Sequence, residues 1–339
     1  MSGGGRQGEA STCAGEQRHQ GARAWLVGAA CALAAGGAEA QVKIPFDRWF
    51  DPRDPSNLPD AFAPPSLPDL THRATWFNLE SSVASLRPRS LDGEVPRSRS
   101  EGWLLRGEAE TELIRRSWYA GVATEIAYGE SLNKGGGDGL LAGYPELWTR
   151  AVWASRGGLA YGGGVSLVLP VFKRTQEEAG GRIAESVRVV RPWTLATYAE
   201  NTITVRPYLD ARVIDGTVTL QLRQAFDLQG LVAEVEVPRA GVVSLTTLFL
   251  GYRPWDALGI GLELWEVYFL NASKLKDEQR AVFAISPTLR YIGRTWQPAI
   301  SAIMPFERPL FDQASSYWAL RASIGLVFDV GAPVFGPGP

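Results

Sequence analysis

Apolar and polar residues alternate with a period of two over runs of ten to thirteen residues along most of this chain. In 118–128, Trp118, Ala120, Val122, Thr124, Ile126 and Tyr128 alternate with Tyr119, Gly121, Ala123, Glu125 and Ala127. In RGEAETEL (106–113), Arg106, Glu108, Glu110 and Glu112 occupy every second position. On a helix those charges would scatter to both sides, but on a strand they all face one way. The pattern recurs at 202–213, 257–269, 282–292 and 317–329. It is the strand pattern. These runs are longer than the five or six residues of an ordinary soluble strand. A tilted strand crossing a bilayer needs about 9–11 residues.

The remaining sequence separates a membrane barrel from a β-sandwich or a lipocalin-like barrel, which also alternate. No segment approaches the roughly 20 apolar residues of a membrane-spanning helix. Connections alternate between tight turns, expected at 115–117, 155–158, 199–201, 253–256 and 292–295, and long polar or Gly-rich loops such as RPRSLDGEVPRSRSE and GESLNKGGGDGLLAGYP. Outer-membrane barrels carry short periplasmic turns and long external loops. Trp103, Trp118, Trp153, Trp193, Trp255, Trp296 and Trp318 lie near expected strand ends. That is where aromatic girdles sit.

The expectation is an all-β, antiparallel transmembrane barrel of about fourteen strands, with twelve as the alternative. The fourteen are 73–86, 102–114, 117–128, 145–155, 158–171, 187–198, 202–213, 217–226, 230–237, 241–253, 257–269, 282–292, 296–305 and 317–329. The run LVAEVEV at 231–237 is the weakest, and the expected loops at 271–280 and 307–316 take their sides only if it counts as a strand. Closure follows from physics: in hydrocarbon an unpaired backbone N–H or C=O costs several kcal/mol, so a sheet in lipid must abolish its edges.

Residues 1–40 read as a targeting segment. Arg18 and Arg23 precede the apolar run AWLVGAACALAA, and Ala38-Glu39-Ala40 has the small-x-small form of a cleavage site. A lipoprotein signal ending at Cys31 is the competing reading. Cleavage after Ala40 would remove both Cys13 and Cys31, leaving no disulfide to form. Residues 41–72 carry seven prolines and the aromatic residues Phe46, Trp49 and Phe50, and read as an extended periplasmic segment. The barrel is expected over 73–329 and a tail over 330–339.

The face opposite the lipid reads as a mixed wall. Glu108, Glu110, Glu112, Glu125, Asp210 and Glu263 are met by Arg106, Arg150, Arg206, Arg212, Arg223, Arg290 and Arg321. Such a wall either packs as a cross-strand ion-pair network or lines an aqueous path. Chemistry has little to work with. His72 is the one histidine beyond residue 40, and the glycines 135–137 and 139 lack the strand-to-helix context of a phosphate loop. No catalytic residue, metal ligand or cofactor is expected. A net charge of −2 argues against nucleic acid.

Near the C-terminus, Ser286-Pro287-Thr288-Leu289-Arg290-Tyr291, then Trp296-Gln297-Pro298-Ala299-Ile300-Ser301, then Met304-Pro305, then Tyr317-Trp318 leading to Gly325-Leu326-Val327-Phe328, resembles the closing strands of the meta-pathway phenol degradation family of bacterial outer-membrane proteins. The resemblance covers about fifty residues and implies a β-barrel channel. The tail APVFGPGP departs from barrels that end on an aromatic read by the assembly machinery. The expected partners are outer-membrane lipid, the barrel-assembly machinery and small solutes. The expected function is passive passage of small solutes, apolar or aromatic ones among them. A non-conducting scaffolding barrel is the alternative, and an outer-membrane hydrolase using His72 comes third.

Overall fold

The computed structural model describes residues 75–88, 100–114, 118–131, 138–154, 159–171, 192–199, 201–231, 241–255, 257–271, 280–293, 295–305 and 314–328. The strands are β1 (Thr75–Pro88), β2 (Ser100–Ile114), β3 (Trp118–Ser131), β4 (Asp138–Ala142), β5 (Glu146–Ala154), β6 (Leu159–Val168), β7 (Thr202–Asp215), β8 (Val218–Leu231), β9 (Gly241–Trp255), β10 (Leu258–Phe269), β11 (Ala281–Tyr291), β12 (Trp296–Pro305) and β13 (Ala314–Phe328). All pairings are antiparallel and join neighbours in chain order, except that β5 skips β4 to pair with β3, and β1 pairs with β13 from Thr75↔Phe328 to Pro88↔Ala314. The sheet therefore closes.

Twelve strands make the wall, and β4 is the thirteenth. β4 and β5 both pair with β3, in one line: Glu130↔Asp138 to Ile126↔Ala142, then Ala123↔Glu146 to Trp118↔Ala151. Gly143, Tyr144 and Pro145 break that line. The register slips there by one residue, as at a β-bulge.

The fourteen-strand count is corrected at two places. Residues 192–198 form a 3₁₀ helix, Pro192–Tyr198, kinked at Thr194. Pro192 has no N–H for a ladder and sets φ for a helical first turn, so alternation could not win there. The expected strand at 230–237 also falls: 230 and 231 end β8, and 232–240 lie outside the described residues. Both losses leave the parity intact. They reverse the run of 202–215 and 218–231, however, so residues 199–201 sit at the long-loop end. The tight turn is instead Gly216-Thr217, where Gly216 has φ +57° and closes a two-residue hairpin between Asp215 and Val218. Trp193 belongs to the 3₁₀ helix and marks no strand end. The Gly-rich stretch expected as one loop at 129–145 contains β4. His72, the targeting segment, the Pro-rich segment and the tail lie outside the described residues.

Burial runs opposite to that of a soluble protein. On β1, Phe77, Leu79 and Val83 are exposed while Asn78, Glu80 and Ser82 are buried. β3, β7, β12 and β13 repeat the inversion, with Leu209 left 71% exposed. Since large apolar side chains are normally the inside ones, an apolar exterior around a polar interior is a surface made for lipid. Trp118, Trp153, Trp255 and Trp296 stand exposed at the short-turn end. Tyr161 stacks on Trp153 at 5.7 Å, and Tyr291 lies 5.6 Å from Trp296. Toward the loop end, Trp318 is exposed and Trp103 is half-buried, donating its indole N–H to Ser81 Oγ at 2.9 Å.

Candidate functional site in the barrel interior

The barrel turns every second side chain inward, and register decides which of them meet. Arg106, Glu110, Glu112, Glu125, Arg150, Asp210, Arg212, Glu263, Arg290 and Arg321 are buried on that inner face. The side chains of Glu108, Arg206 and Arg223 keep only 12–14% of their surface.

Arg106 of β2 anchors the longest network. Its guanidinium pairs with Glu108 on its own strand, with Glu125 directly across on β3 (3.3 Å) and with Glu146 on β5 (2.9 Å). The other Glu146 oxygen accepts from Ser166 Oγ of β6 at 2.5 Å and from Arg206 of β7 at 3.1 Å. Arg206 then forks onto Asp227 of β8, at 2.5 and 3.0 Å. One continuous row thus crosses six neighbouring strands. Two-pronged guanidinium–carboxylate pairs fix geometry as well as charge.

A second group lies toward the short-turn end. Arg150 of β5 forks onto Glu110 of β2 at 2.8 and 2.6 Å. Glu110 also accepts from the indoles of Trp76 (3.0 Å) and Trp148 (2.7 Å), and the Arg150 guanidinium lies 4.6 Å over the Tyr119 ring. Gly121 permits this, because a Cβ there would collide with the Trp148 indole. A third group pairs Arg223 with both oxygens of Asp210 at 2.6 Å, over the Tyr208 ring at 4.1 Å, and Gly164 leaves the room that ring occupies. The fourth spans from β13, where Arg321 donates to Ser301 Oγ and to Glu263 of β10, both at 2.9 Å.

Nearer the loop end the inner face changes character. Leu104, Val243, Trp265, Val267, Val282 and Ile303 form a buried apolar cluster with alanines 84, 127, 284 and 319 and with Tyr198 of the 3₁₀ helix. Leu141, Leu245, Phe269 and Tyr317 pack against it. The interior is therefore layered, apolar toward the loops and charged below.

The sequence list omitted Glu80, Glu146 and Asp227, which are all buried, and the last two join the arginine row. Their signal was present. Glu80 and Glu146 fall on the polar side of their alternating runs, and Asp227 continues the period of β8 one residue beyond the expected end at 226. The inward indoles Trp76 and Trp148 share that parity, at 76/78/80 and 146/148/150, but their apolar rings mask it. No group of His, Cys, Asp and Glu set to hold a metal ion occurs among the described residues.

No protein-family model matches the sequence, and no curated protein matches it. Among solved structures, the chain is similar to an outer membrane channel from Pseudomonas putida F1, at 11% identity and a TM-score of 0.58, covering 79% of this chain and all of that one. The fold is that of an outer-membrane barrel. The chain is also similar to a NanC porin, at 7% identity and a TM-score of 0.48, over 74% of this chain and all of the porin. With its edges closed and its apolar side outward, the chain is built for the outer membrane.

Proposed function

We propose that this protein is a passive outer-membrane channel for small solutes, with a preference for apolar or aromatic ones. The observation that carries the reading is the layered interior: an apolar cluster toward the loops above arginines and acids that hold one another in pairs. A solute leaving water on the loop side would meet aromatic and aliphatic side chains first. Paired charges below would present both signs, with none strongly selected. The likeness of 286–328 to the phenol degradation family is in keeping with that solute class, and the fold shared with an outer membrane channel is in keeping with passage across the membrane. Outer-membrane lipid and the barrel-assembly machinery are its proposed partners. The thirteen charged residues of the mixed wall, from Arg106 to Arg321, are its proposed lumen lining.

One observation favours a second reading, a non-conducting barrel that scaffolds other envelope components. The side chains of Arg106, Arg150 and Arg321 keep 6% or less of their surface, as in a filled interior. Single-channel recording of the purified protein in planar bilayers separates the two. Discrete conductance steps support the channel. Their absence from a barrel that migrates as folded on unboiled gels, and shifts on boiling, supports the scaffold.

A further inference from the structure

Where the Arg150 and Arg223 groups adjoin, the register gathers donors without acceptors. Tyr119, Arg150, Gly164 and Tyr208 are successive register partners across β3, β5, β6 and β7. Gly164 brings no side chain to this row, and the Tyr208 ring leans over it: a Cβ there would lie 2.6 Å from the Tyr208 hydroxyl. The hydroxyl is thereby carried toward β5, one strand spacing of about 4.8 Å from the Arg150 position. Arg150 holds Glu110 through Nε and Nη2, which share one edge of the guanidinium plane, so its Nη1 lies on the opposite edge. Arg150 Nη1 and the Tyr208 hydroxyl are both buried, and neither has a hydrogen-bond partner among the described residues. Buried donors left without acceptors cost stability, and a solute that supplies the acceptors recovers that cost on binding.

The chemistry of that solute follows from the donors and the charges beside them. Two donors on neighbouring side chains match the two oxygens of a carboxylate, whereas a lone hydroxyl or carbonyl oxygen would leave one donor poorly served. Arg223 lies over the Tyr208 ring at 4.1 Å and grips Asp210 with the same two nitrogens that Arg150 uses on Glu110. The two pairs balance charge for charge. A monoanion thus meets guanidiniums whose own carboxylates occupy their other edges, while a dianion would bring a further uncompensated charge into a buried place. The rings of Tyr119 and Tyr208, on either side of Arg150 in the row, suit a flat apolar body behind the carboxylate.

We propose that Arg150 Nη1 and the Tyr208 hydroxyl form a binding site for the carboxylate of an aromatic monocarboxylate passing through the barrel. The proposal deepens the channel reading, on which it rests, by naming a solute class. Calorimetric titration of benzoate into the purified, folded protein in detergent micelles tests it, with benzamide as the uncharged analogue. The wild type should bind benzoate at least about 10-fold more tightly than benzamide, whose amide nitrogen accepts no hydrogen bond. Tyr208→Phe deletes a hydroxyl that holds no described protein group, so the unfolding midpoint should not fall. Benzoate binding should nevertheless weaken about 10-fold, the order of one hydrogen bond to a charged group. Arg150→Lys keeps a cation for Glu110 without Nη1 and should weaken benzoate at least as much. Planar-bilayer conductance of the wild type, recorded in parallel, should fall on addition of benzoate and not of benzamide. A wild type that conducts but binds benzoate no better than benzamide would overturn the carboxylate site and keep the channel, and so would a Tyr208→Phe barrel that binds benzoate as the wild type does. A wild type that never conducts would overturn the channel reading and, with it, the passage of carboxylates.

Discussion

Arg150 and Glu110 sit on strands separated by β3, yet the guanidinium fork of one meets both oxygens of the other across the barrel interior. Their side chains keep 2% and 1% of their surface. Removing one member of so buried a pair leaves the other charge uncompensated, at a cost of about 3–5 kcal/mol, whereas replacing both with apolar groups of similar volume is often near neutral. Glu110→Ala should therefore lower the urea midpoint of unfolding in lipid vesicles markedly. Glu110→Leu with Arg150→Met should recover much of the loss, tempered by the indoles of Trp76 and Trp148 that also donate to Glu110. Tryptophan fluorescence during unfolding gives both numbers.

Gly121 and Gly107 make a matched pair for testing how tightly the interior is packed. A Cβ on Gly121 would enter the Trp148 ring, while one on Gly107 would meet nothing within 4 Å. Gly121→Val should cost about 1–3 kcal/mol by overpacking and should displace Trp148 from Glu110. Gly107→Ala should be neutral or stabilising by up to about 1 kcal/mol, as for a glycine relieved of its backbone entropy. Equal destabilisation by the two would show that the Trp148 position is not set by Gly121.

How much of this was legible in the sequence differs between wall and interior. Alternation marked all twelve wall strands, because lipid on one side and polar packing on the other force a strict period of two. It over-read 192–198, where Pro192 opens a 3₁₀ helix, and it missed β4, whose glycine and short length hide a strand paired with β3. The inner face could be read strand by strand, since parity alone decides it. The partners could not. Glu146 meets Arg106 and Arg206 through registers that bring together residues forty and sixty positions away. A run of alternating residues holds its own parity but not its neighbour's register.

Leu209 tests the lipid-facing assignment. It lies midway along β7 and points outward. An arginine on the lipid face near the midplane of a barrel costs about 2–4 kcal/mol, falling to about 0–1 near the interfaces. Leu209→Arg should fall in the first range, and Trp255→Arg, at the short-turn end of β9, in the second apart from any loss of girdle contacts. Unfolding free energies in vesicles measure the difference. Similar small costs at both positions would argue that the outer face of β7 is not in hydrocarbon.

Arg206 offers a test of whether the charged row touches an ion path. It forks onto Asp227, and it shares Glu146 with Arg106. In Arg206→Ala, the row keeps the carboxylates of Glu108, Glu125, Glu146 and Asp227 but loses one of the guanidiniums that pair with them. Unbalanced carboxylates along a narrow passage favour cations. The reversal potential of the variant in a KCl gradient should shift toward potassium. The shift should shrink in 1 M salt, where the screening length falls from about 10 Å at 0.1 M to about 3 Å. Arg206→Lys keeps the charge without the two-pronged geometry and should hold the wild-type selectivity while losing stability to unfolding. An Arg206→Ala channel that conducts with unchanged selectivity would place this row outside the path of the ions and leave it a purely structural brace across β2 to β8.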